Sequence, residues 1–114
     1  MNNTYFKREE FACSCGCGRD VVDSELLEVL MRLREYYSQP ITITSGNRCV
    51  IHNEAVGGSP ESQHLLGKAV DIKVKDTSPT EVFRRLDLWY PNNYGLSGYS
   101  SWVHLDVREN KSRW

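Results

Sequence analysis

Apolar residues recur at helical spacing in the stretch SELLEVLMRLREYYSQ, near the start of the chain. Intervals of three and four residues place these side chains on one face of an α-helix. Asp23 or Ser24 can cap the start of this helix, and Pro40 ends it. A second helix is predicted over TSPTEVFRRLDLWYP, where Ser78 stands as the cap before a proline in the first turn.

Three other stretches alternate apolar and polar residues with a period of two, which is the pattern of half-buried strands. They are ITITS, KAVDIKV and WVHLDVR. FKREEFAC predicts an entry segment anchored by Phe6 and Phe11, and CVIHNEAVGG predicts a short helix stopped by its glycine pair. The Gly/Ser-rich stretch NNYGLSGYSS is predicted to be a connection. Two main helices and three strands indicate an α+β domain with helices packed on one face of a small sheet.

The alternation also separates the two faces of the second and third strands. In AVDIKV, Val70 and Ile72 point to one face and Asp71 to the other, and in WVHLDVR His104 and Asp106 point away from the apolar residues. If the two strands lie near each other with their apolar faces buried together, Asp71 and His104 share the opposite face.

His64 precedes the second strand, and Gly67 allows the chain to bend toward that face. Two imidazoles and a carboxylate are suitable ligands for a catalytic zinc, which binds N and O ligands at about 2.0 to 2.2 Å and keeps a fourth position for water. Zinc lowers the pKa of that water toward about 7 and polarises a carbonyl, so such a site favours hydrolysis of an amide or ester. The alternative is that these polar residues are simply solvated.

Length and charge restrict the classes of function. With 114 residues, the chain is expected to be one domain, residues 1–114, and a monomer. The 14 Lys and Arg residues balance the 15 Asp and Glu residues to a net charge of -1, which disfavours nucleic acid or an anionic membrane as the main partner. No stretch approaches the roughly 18 apolar residues of a membrane span, so membrane insertion is not expected.

Four cysteines leave three interpretations open: Cys13, Cys15, Cys17 and Cys49. A structural zinc is one, although C-x-C-G-C lacks the spacing of the common C-x2-C knuckles and has no histidine nearby. A disulfide from the cluster to Cys49 is the second, and it requires an oxidising compartment. The sequence alone favours the third, free thiols in a Gly-rich turn.

Several motifs together resemble a known family. SGNRC, HNEAVGG, SQHLLGKAVDI and WVHLDVR are similar to segments of the zinc D-alanyl-D-alanine carboxypeptidase family, which also includes phage endolysin peptidases. The opening, FKREEFACSCGCG followed by VDSELL, resembles the compact single-domain branch of that family. The resemblance covers nearly the whole chain, and the order S-x-H-x(6)-D followed by H-x-D is its most specific part.

The resemblance implies a hedgehog/DD-peptidase-like fold, in which a small, mainly antiparallel sheet carries helices on one face and a zinc site on the other. It implies that His64, Asp71 and His104 bind Zn²⁺. Arg48 corresponds to the family arginine that neutralises charge on the substrate or reaction intermediate, a role that suits a permanently charged, bidentate guanidinium. Ser62 matches a polar position that lines the site, where its hydroxyl is expected to hydrogen-bond either the substrate or a zinc ligand.

The general base is the open question in this comparison. Several branches of the family carry a glutamate three residues before the last zinc histidine, where this chain has Ser101. Asp106 is the nearest candidate for a proton carrier, and an equal alternative is that it orients His104. Tyr99 and Trp102 are assigned to the substrate cleft.

The resemblance therefore implies a zinc peptidase that acts on the peptide part of bacterial peptidoglycan, either releasing a terminal D-alanine or cutting an L-alanyl-D-glutamate bond. MNNTYFKREEF lacks the apolar core of a signal peptide, so we expect cytoplasmic synthesis with action at the cell wall. A short chain without a wall-binding module favours a phage or prophage lysis enzyme. The alternatives are a zinc-holding binding module without catalysis, and a binding module without metal.

Overall fold

A computed structural model describes residues 5–114. The helices within that part of the chain are α1 (Ser24–Tyr37), α2 (Val50–Ala55) and α3 (Pro79–Trp89), with 3-10 turns at Arg8–Phe11 and Gln63–Leu66. The strands are β1 (Ile41–Ser45), β2 (Ala69–Val74), β3 (Gly95–Gly98), β4 (Val103–Asp106) and β5 (Ser112–Arg113). Within residues 5–114, every helix is too short or too polar to cross a membrane.

The two long helices begin and end where the sequence predicts. The Asp23 carboxylate accepts a hydrogen bond from the backbone N–H of Glu25 at 2.8 Å, which satisfies a free donor of the first turn of α1. Ser38 adopts a left-handed conformation with a φ of 52° and closes α1 just before the proline. At the start of α3, the Ser78 hydroxyl accepts from the backbone N–H of Glu81 at 3.2 Å.

The five strands form one sheet in the order β1-β2-β4-β3-β5. All neighbours are antiparallel except β3 and β5, which are parallel, so the prediction of a mainly antiparallel sheet is confirmed. The prediction that NNYGLSGYSS is only a connection is wrong, because GLSG forms β3 between β4 and β5. The two glycines of this strand give it a sequence pattern that is not typical of strands. Gly95 is nevertheless required there, because a Cβ would clash with the Asp106 carboxylate.

The apolar face of the sheet packs against α1 and α3. Leu26, Leu30 and Leu33 of α1 and Leu86 of α3 belong to the same buried cluster as the strands. The strand residues in this cluster are Ile41, Val70, Ile72, Val74, Leu96, Val103 and Leu105. Removal of this apolar surface from water stabilises the fold and fixes which side chains face the other way.

Asn47, which is buried, joins three segments of the chain just after the end of β1. Its backbone N–H donates to the Phe11 carbonyl at 2.8 Å, and its side-chain oxygen accepts from the backbone N–H of Val21 at 2.9 Å. Its side-chain NH₂ donates to the His64 carbonyl at 2.9 Å. The N-terminal segment and the loop after β1 are thereby held against the turn that carries His64.

Candidate metal centre and active site

The register between β2 and β4 places Asp71 directly opposite His104. The Asp71 Oδ1 atom lies 3.0 Å from His104 Nδ1 and 3.5 Å from His64 Nε2. His64 reaches this point from the 3-10 turn, which ends at Gly67 in a left-handed conformation with a φ of 69°. Tetrahedral ligands at about 2.05 Å from zinc lie about 3.4 Å apart, so these spacings fit a zinc ion held by the three side chains.

The other nitrogen of each imidazole has its own acceptor. His64 Nδ1 lies 2.7 Å from the Gly46 carbonyl oxygen, and His104 Nε2 lies 2.8 Å from Asp106 Oδ2. In the neutral tautomers that donate an N–H to these two acceptors, His64 Nε2 and His104 Nδ1 present lone pairs to Asp71. A lone pair and a carboxylate oxygen at 3.0 Å repel each other unless a proton or a metal ion lies between them. The donor set therefore fits a divalent cation.

Asp106 lies behind His104, where it is fully buried. Arg108 holds its two oxygens from Nε and NH2, each at 2.7 Å. Burial by itself raises the pKa of Asp106, but the hydrogen bonds from His104 and Arg108 outweigh it and hold that pKa below its usual range. This position agrees with the alternative in which Asp106 orients His104. A role of Asp106 as a proton carrier stays a prediction.

Asp71 and His104 also shift each other's proton affinity. Burial by itself raises the pKa of Asp71, but the hydrogen bonds with His104 and His64 outweigh it and bring that pKa well below its usual range. Burial lowers the pKa of His104, whereas its contacts with Asp106 and Asp71 raise it, and the net shift is upward. Both carboxylates therefore remain ionised at neutral pH, as a metal ligand and its supporting acceptor must.

A cavity of about 470 Å³ opens over these side chains, and four further residues predicted for the site line it. They are Arg48, Ser62, Tyr99 and Trp102. The aromatic rings of Tyr99 and Trp102 stack with their centroids 4.7 Å apart. The Ser62 hydroxyl accepts from the backbone N–H of His64 at 3.2 Å, so it also fixes the turn that carries the first candidate ligand.

Arg48 reaches the site from the loop after β1. Its NH2 lies 3.6 Å from Asp71 Oδ2, and its NH1 donates to Asn53 Oδ1 at 3.2 Å. The guanidinium Nε donates to the Ser45 hydroxyl at 3.3 Å. These contacts fix the guanidinium at the cavity wall, next to the candidate metal ligands.

The structure adds residues that the sequence did not bring to the site. Trp114 lines the same cavity, and its ring lies 5.1 Å from the His104 ring. Its carbonyl accepts from the Ser97 hydroxyl at 2.7 Å beside the pairing of β3 and β5, which no sequence pattern indicated. Glu61, in the loop before the His64 turn, lines the cavity as well. Ser101, at the position of the family glutamate, lines a different cavity.

Two histidines and an aspartate at an open cavity are a ligand set that metallohydrolases use. The chain belongs to the Peptidase M15 family, whose family model matches residues 4–106. Peptidases of this family are zinc-dependent, so the match supports a zinc peptidase. No curated protein matches the chain closely enough to count as a relative. The D-alanyl-D-alanine carboxypeptidase assignment is finer than this match and stays a prediction.

Proposed function

We propose that this protein is a zinc-dependent peptidase that hydrolyses peptide bonds in the stem peptides of bacterial peptidoglycan. The observation that carries the proposal is the convergence of His64, Asp71 and His104 beside Arg48 in one open cavity. Membership of the Peptidase M15 family supports the same reaction class.

His64, Asp71 and His104 would hold the zinc ion, which when bound supplies a Lewis acid that polarises a peptide carbonyl and acidifies water. The chain's own contribution is to hold these three side chains in place. The Gly46 carbonyl fixes the ring of His64, and Asp106 fixes the ring of His104. Asp106 is a positioning residue in this proposal, because it contacts His104 and is itself sealed from the cavity.

Arg48 supplies the positive charge for substrate recognition. Its guanidinium can bind a carboxylate with two parallel hydrogen bonds. Both candidate bonds offer one, because a terminal D-alanine carries a free carboxylate and a γ-linked D-glutamate carries one beside its amide. Arg48 NH2 lies 3.6 Å from Asp71 Oδ2, so its charge would also stabilise the negative charge that develops on the carbonyl oxygen during attack.

Glu61 is an alternative to Asp106 as the residue that accepts a proton from the attacking water. Among the described residues that line the cavity, Glu61 and Asp71 carry carboxylates, and Asp71 is a proposed metal ligand. The sequence pointed instead to Asp106, whose oxygens already accept hydrogen bonds from His104 and Arg108. Comparing Glu61→Gln with Asp106→Asn separates the two: the variant of the true acceptor loses turnover while it keeps its zinc.

Three aromatic residues form the wall on which a sugar or peptide would lie. The rings of Tyr99 and Trp102 stack on each other, and Trp114 is half-exposed beside His104. Flat, partly exposed aromatic faces bind the apolar faces of sugars and peptide side chains. Peptidoglycan contains both, which agrees with this substrate class.

Digestion of purified peptidoglycan, followed by mass analysis of the products, tests the proposal. Zinc-loaded protein should release either free D-alanine or fragments with new amine termini, and the product identifies the bond. His104→Ala should abolish release, whereas His52→Ala, on α2, should retain it. If the zinc-loaded protein releases nothing from any wall chemotype, the peptidase proposal fails.

A zinc-holding binding module is the second candidate, and Ser101 at the position of the family glutamate favours it. That module would keep its zinc and bind peptidoglycan without releasing products. A role as a phage or prophage lysis enzyme is the more specific form of the peptidase proposal. Lysis of cells that produce this chain together with a membrane pore would support it, and intact cells under those conditions would contradict it.

A further inference from the structure

A second group of metal-ligating side chains lies outside the cavity just described. It consists of Cys13, Cys15, Cys17 and Cys49, and we name it the thiol cluster. One sulfur atom from each residue lies within 4.8 Å of all the others. Cys13 and Cys49 are 36 positions apart in the chain, so the fold brings them together and local sequence does not.

The sulfur spacings in the thiol cluster are those of a metal site. Cys13 Sγ lies 3.4 Å from Cys15 Sγ and 3.9 Å from Cys49 Sγ, and the remaining distance, between Cys15 and Cys49, is 3.6 Å. Four sulfurs bound to zinc at about 2.3 Å lie about 3.8 Å apart at the corners of a tetrahedron. These three spacings therefore match one face of such a tetrahedron.

The backbone around the thiol cluster is shaped to direct the sulfurs inward. Gly16 and Gly18 adopt φ angles of +85° and +87°, which residues with a Cβ rarely adopt, so the chain turns sharply on either side of Cys17. The backbone N–H of Cys13 donates to the Arg19 carbonyl at 2.7 Å and closes this turn.

Backbone N–H groups also point at the sulfurs. The N–H of Cys49 donates to Cys13 Sγ at 3.5 Å, and the N–H of His52 donates to Cys49 Sγ at 3.4 Å. Hydrogen bonds of this kind stabilise a thiolate more than a thiol, and they orient the sulfur that a metal binds. The cluster thus has ligands and the donors that support them.

We propose that Cys13, Cys15, Cys17 and Cys49 bind one Zn²⁺ in a closed, structural four-sulfur site. Each thiol that binds releases its proton to solvent, so binding becomes tighter as the pH rises. Sulfur fills all four positions, which leaves no place for water or substrate and separates this site from the one on the sheet. This proposal departs from the interpretation that the sequence alone favours, in which the four thiols are free.

The position of the thiol cluster gives it a structural task. Cys49 immediately follows Arg48 and caps the start of α2, while the other three cysteines belong to the N-terminal segment. Zinc would therefore cross-link that segment to the loop that carries Arg48. Asn47 joins the same two regions by hydrogen bonds. The proposed zinc and the Asn47 side chain would therefore stabilise the same contact between the N-terminal segment and this loop.

Zinc content of the full-length protein, purified under reducing conditions, tests the proposal. We expect two zinc ions per chain for the unmodified protein and one for the double variant His64→Ala/Asp71→Ala. Adding Cys13→Ser and Cys49→Ser to that variant should remove the remaining ion. Ser14→Ala, an exposed residue between two of the cysteines, is the matched control and should retain it. If the His64→Ala/Asp71→Ala protein binds no zinc, the proposal is wrong.

A thiol measurement avoids the risk that the cysteine variants fail to fold. In the zinc-loaded His64→Ala/Asp71→Ala protein, all four thiols should resist a disulfide reagent and react after a chelator is added. Replacement of zinc by cobalt should give the intense absorption of cobalt–thiolate bonds. Equal thiol reactivity with and without the chelator, or a disulfide between any two cysteines in the purified protein, would overturn the proposal.

Discussion

Within residues 5–114, two groups of side chains could ligate a metal ion, and they differ in chemistry and in support. The first, which we call the sheet site, consists of His64, Asp71 and His104 and uses nitrogen and oxygen at the floor of an open cavity. The thiol cluster uses four sulfurs, and two of its four cysteines are exposed on loops. Three ligands beside a cavity suit chemistry on a substrate, whereas four sulfurs suit a structural cross-link.

The two groups also depend on the fold in different ways. The sheet site is set by the pairing of β2 with β4, which the apolar core on the opposite face fixes. Two of the four cysteines in the thiol cluster are exposed, so in our proposal the metal supplies much of its order. Loss of metal should therefore disable the sheet site without unfolding it and should loosen the N-terminal segment around the thiol cluster.

The largest effect is expected from His64→Ala. This change removes a proposed zinc ligand, and loss of the metal's contribution of several kcal/mol should lower the peptidase rate on the order of 10³-fold. The zinc of the thiol cluster should remain. Initial rates on peptidoglycan and zinc content per chain measure both effects.

His52→Ala is the control for His64→Ala, because it removes an imidazole outside the cavity. It should keep a rate close to that of the unmodified protein. If His64→Ala kept a comparable rate, the assignment of the sheet site as the catalytic one would be wrong.

Cys13→Ser tests the other side of the comparison. Loss of the four-sulfur site should lower the free energy of unfolding by about 2 to 3 kcal/mol and the melting temperature by roughly 10 °C. The rate at 25 °C should fall far less than in His64→Ala, because Arg48 is also held by Asn53 and Ser45. Thermal unfolding with and without added zinc measures the change.

An equal melting temperature for Cys13→Ser, Ser14→Ala and the unmodified protein would contradict a structural role for the thiol cluster. A loss of rate as large as that of His64→Ala, with the melting temperature unchanged, would contradict the separation of the two groups. The division into a catalytic sheet site and a structural thiol cluster would then be wrong.

The sequence predicts that the side chains of the sheet site lie close together, because the alternation of apolar and polar residues along a strand is a local signal. The position of Asp71 among Val70 and Ile72 predicts its face, and the same rule applied to His104 predicts their meeting. The role of Asp106 stayed open because its burial and its contacts with Arg108 depend on packing that no spacing reveals.

The elements that sequence missed lack such a signal. The strand GLSG has two glycines in four residues and forms because its neighbours supply the hydrogen bonds. Trp114 reaches the cavity only through the pairing of β5 with β3. The thiol cluster depends on a contact across 36 positions, which the short spacing of three cysteines concealed.

Asp106→Asn tests whether Asp106 supports His104 or carries a proton. Asparagine keeps the size of the side chain but removes the charge that Arg108 and His104 share. Loss of an acceptor behind a ligating histidine typically costs about 10- to 100-fold in metal affinity or activity. We expect a weakened zinc affinity of this size, measured by competition with a chelator, and a rate that recovers at saturating zinc. A rate that stays low when the site is fully loaded would instead identify Asp106 as the proton carrier.

Trp114→Ala should produce the smallest effect. The indole packs on His104 and lies under the guanidinium of Arg108, but about half of its surface is exposed and its ring binds no metal. Loss of one aromatic contact, worth about 0.5 to 1.5 kcal/mol, should raise KM roughly threefold to tenfold and leave kcat nearly unchanged. Trp114→Phe keeps a flat ring and should restore most of the affinity. A fall in kcat without a change in KM would show that Trp114 supports the imidazole of His104 and does not bind the substrate. Trp114, which follows β5, would then count as part of the sheet site.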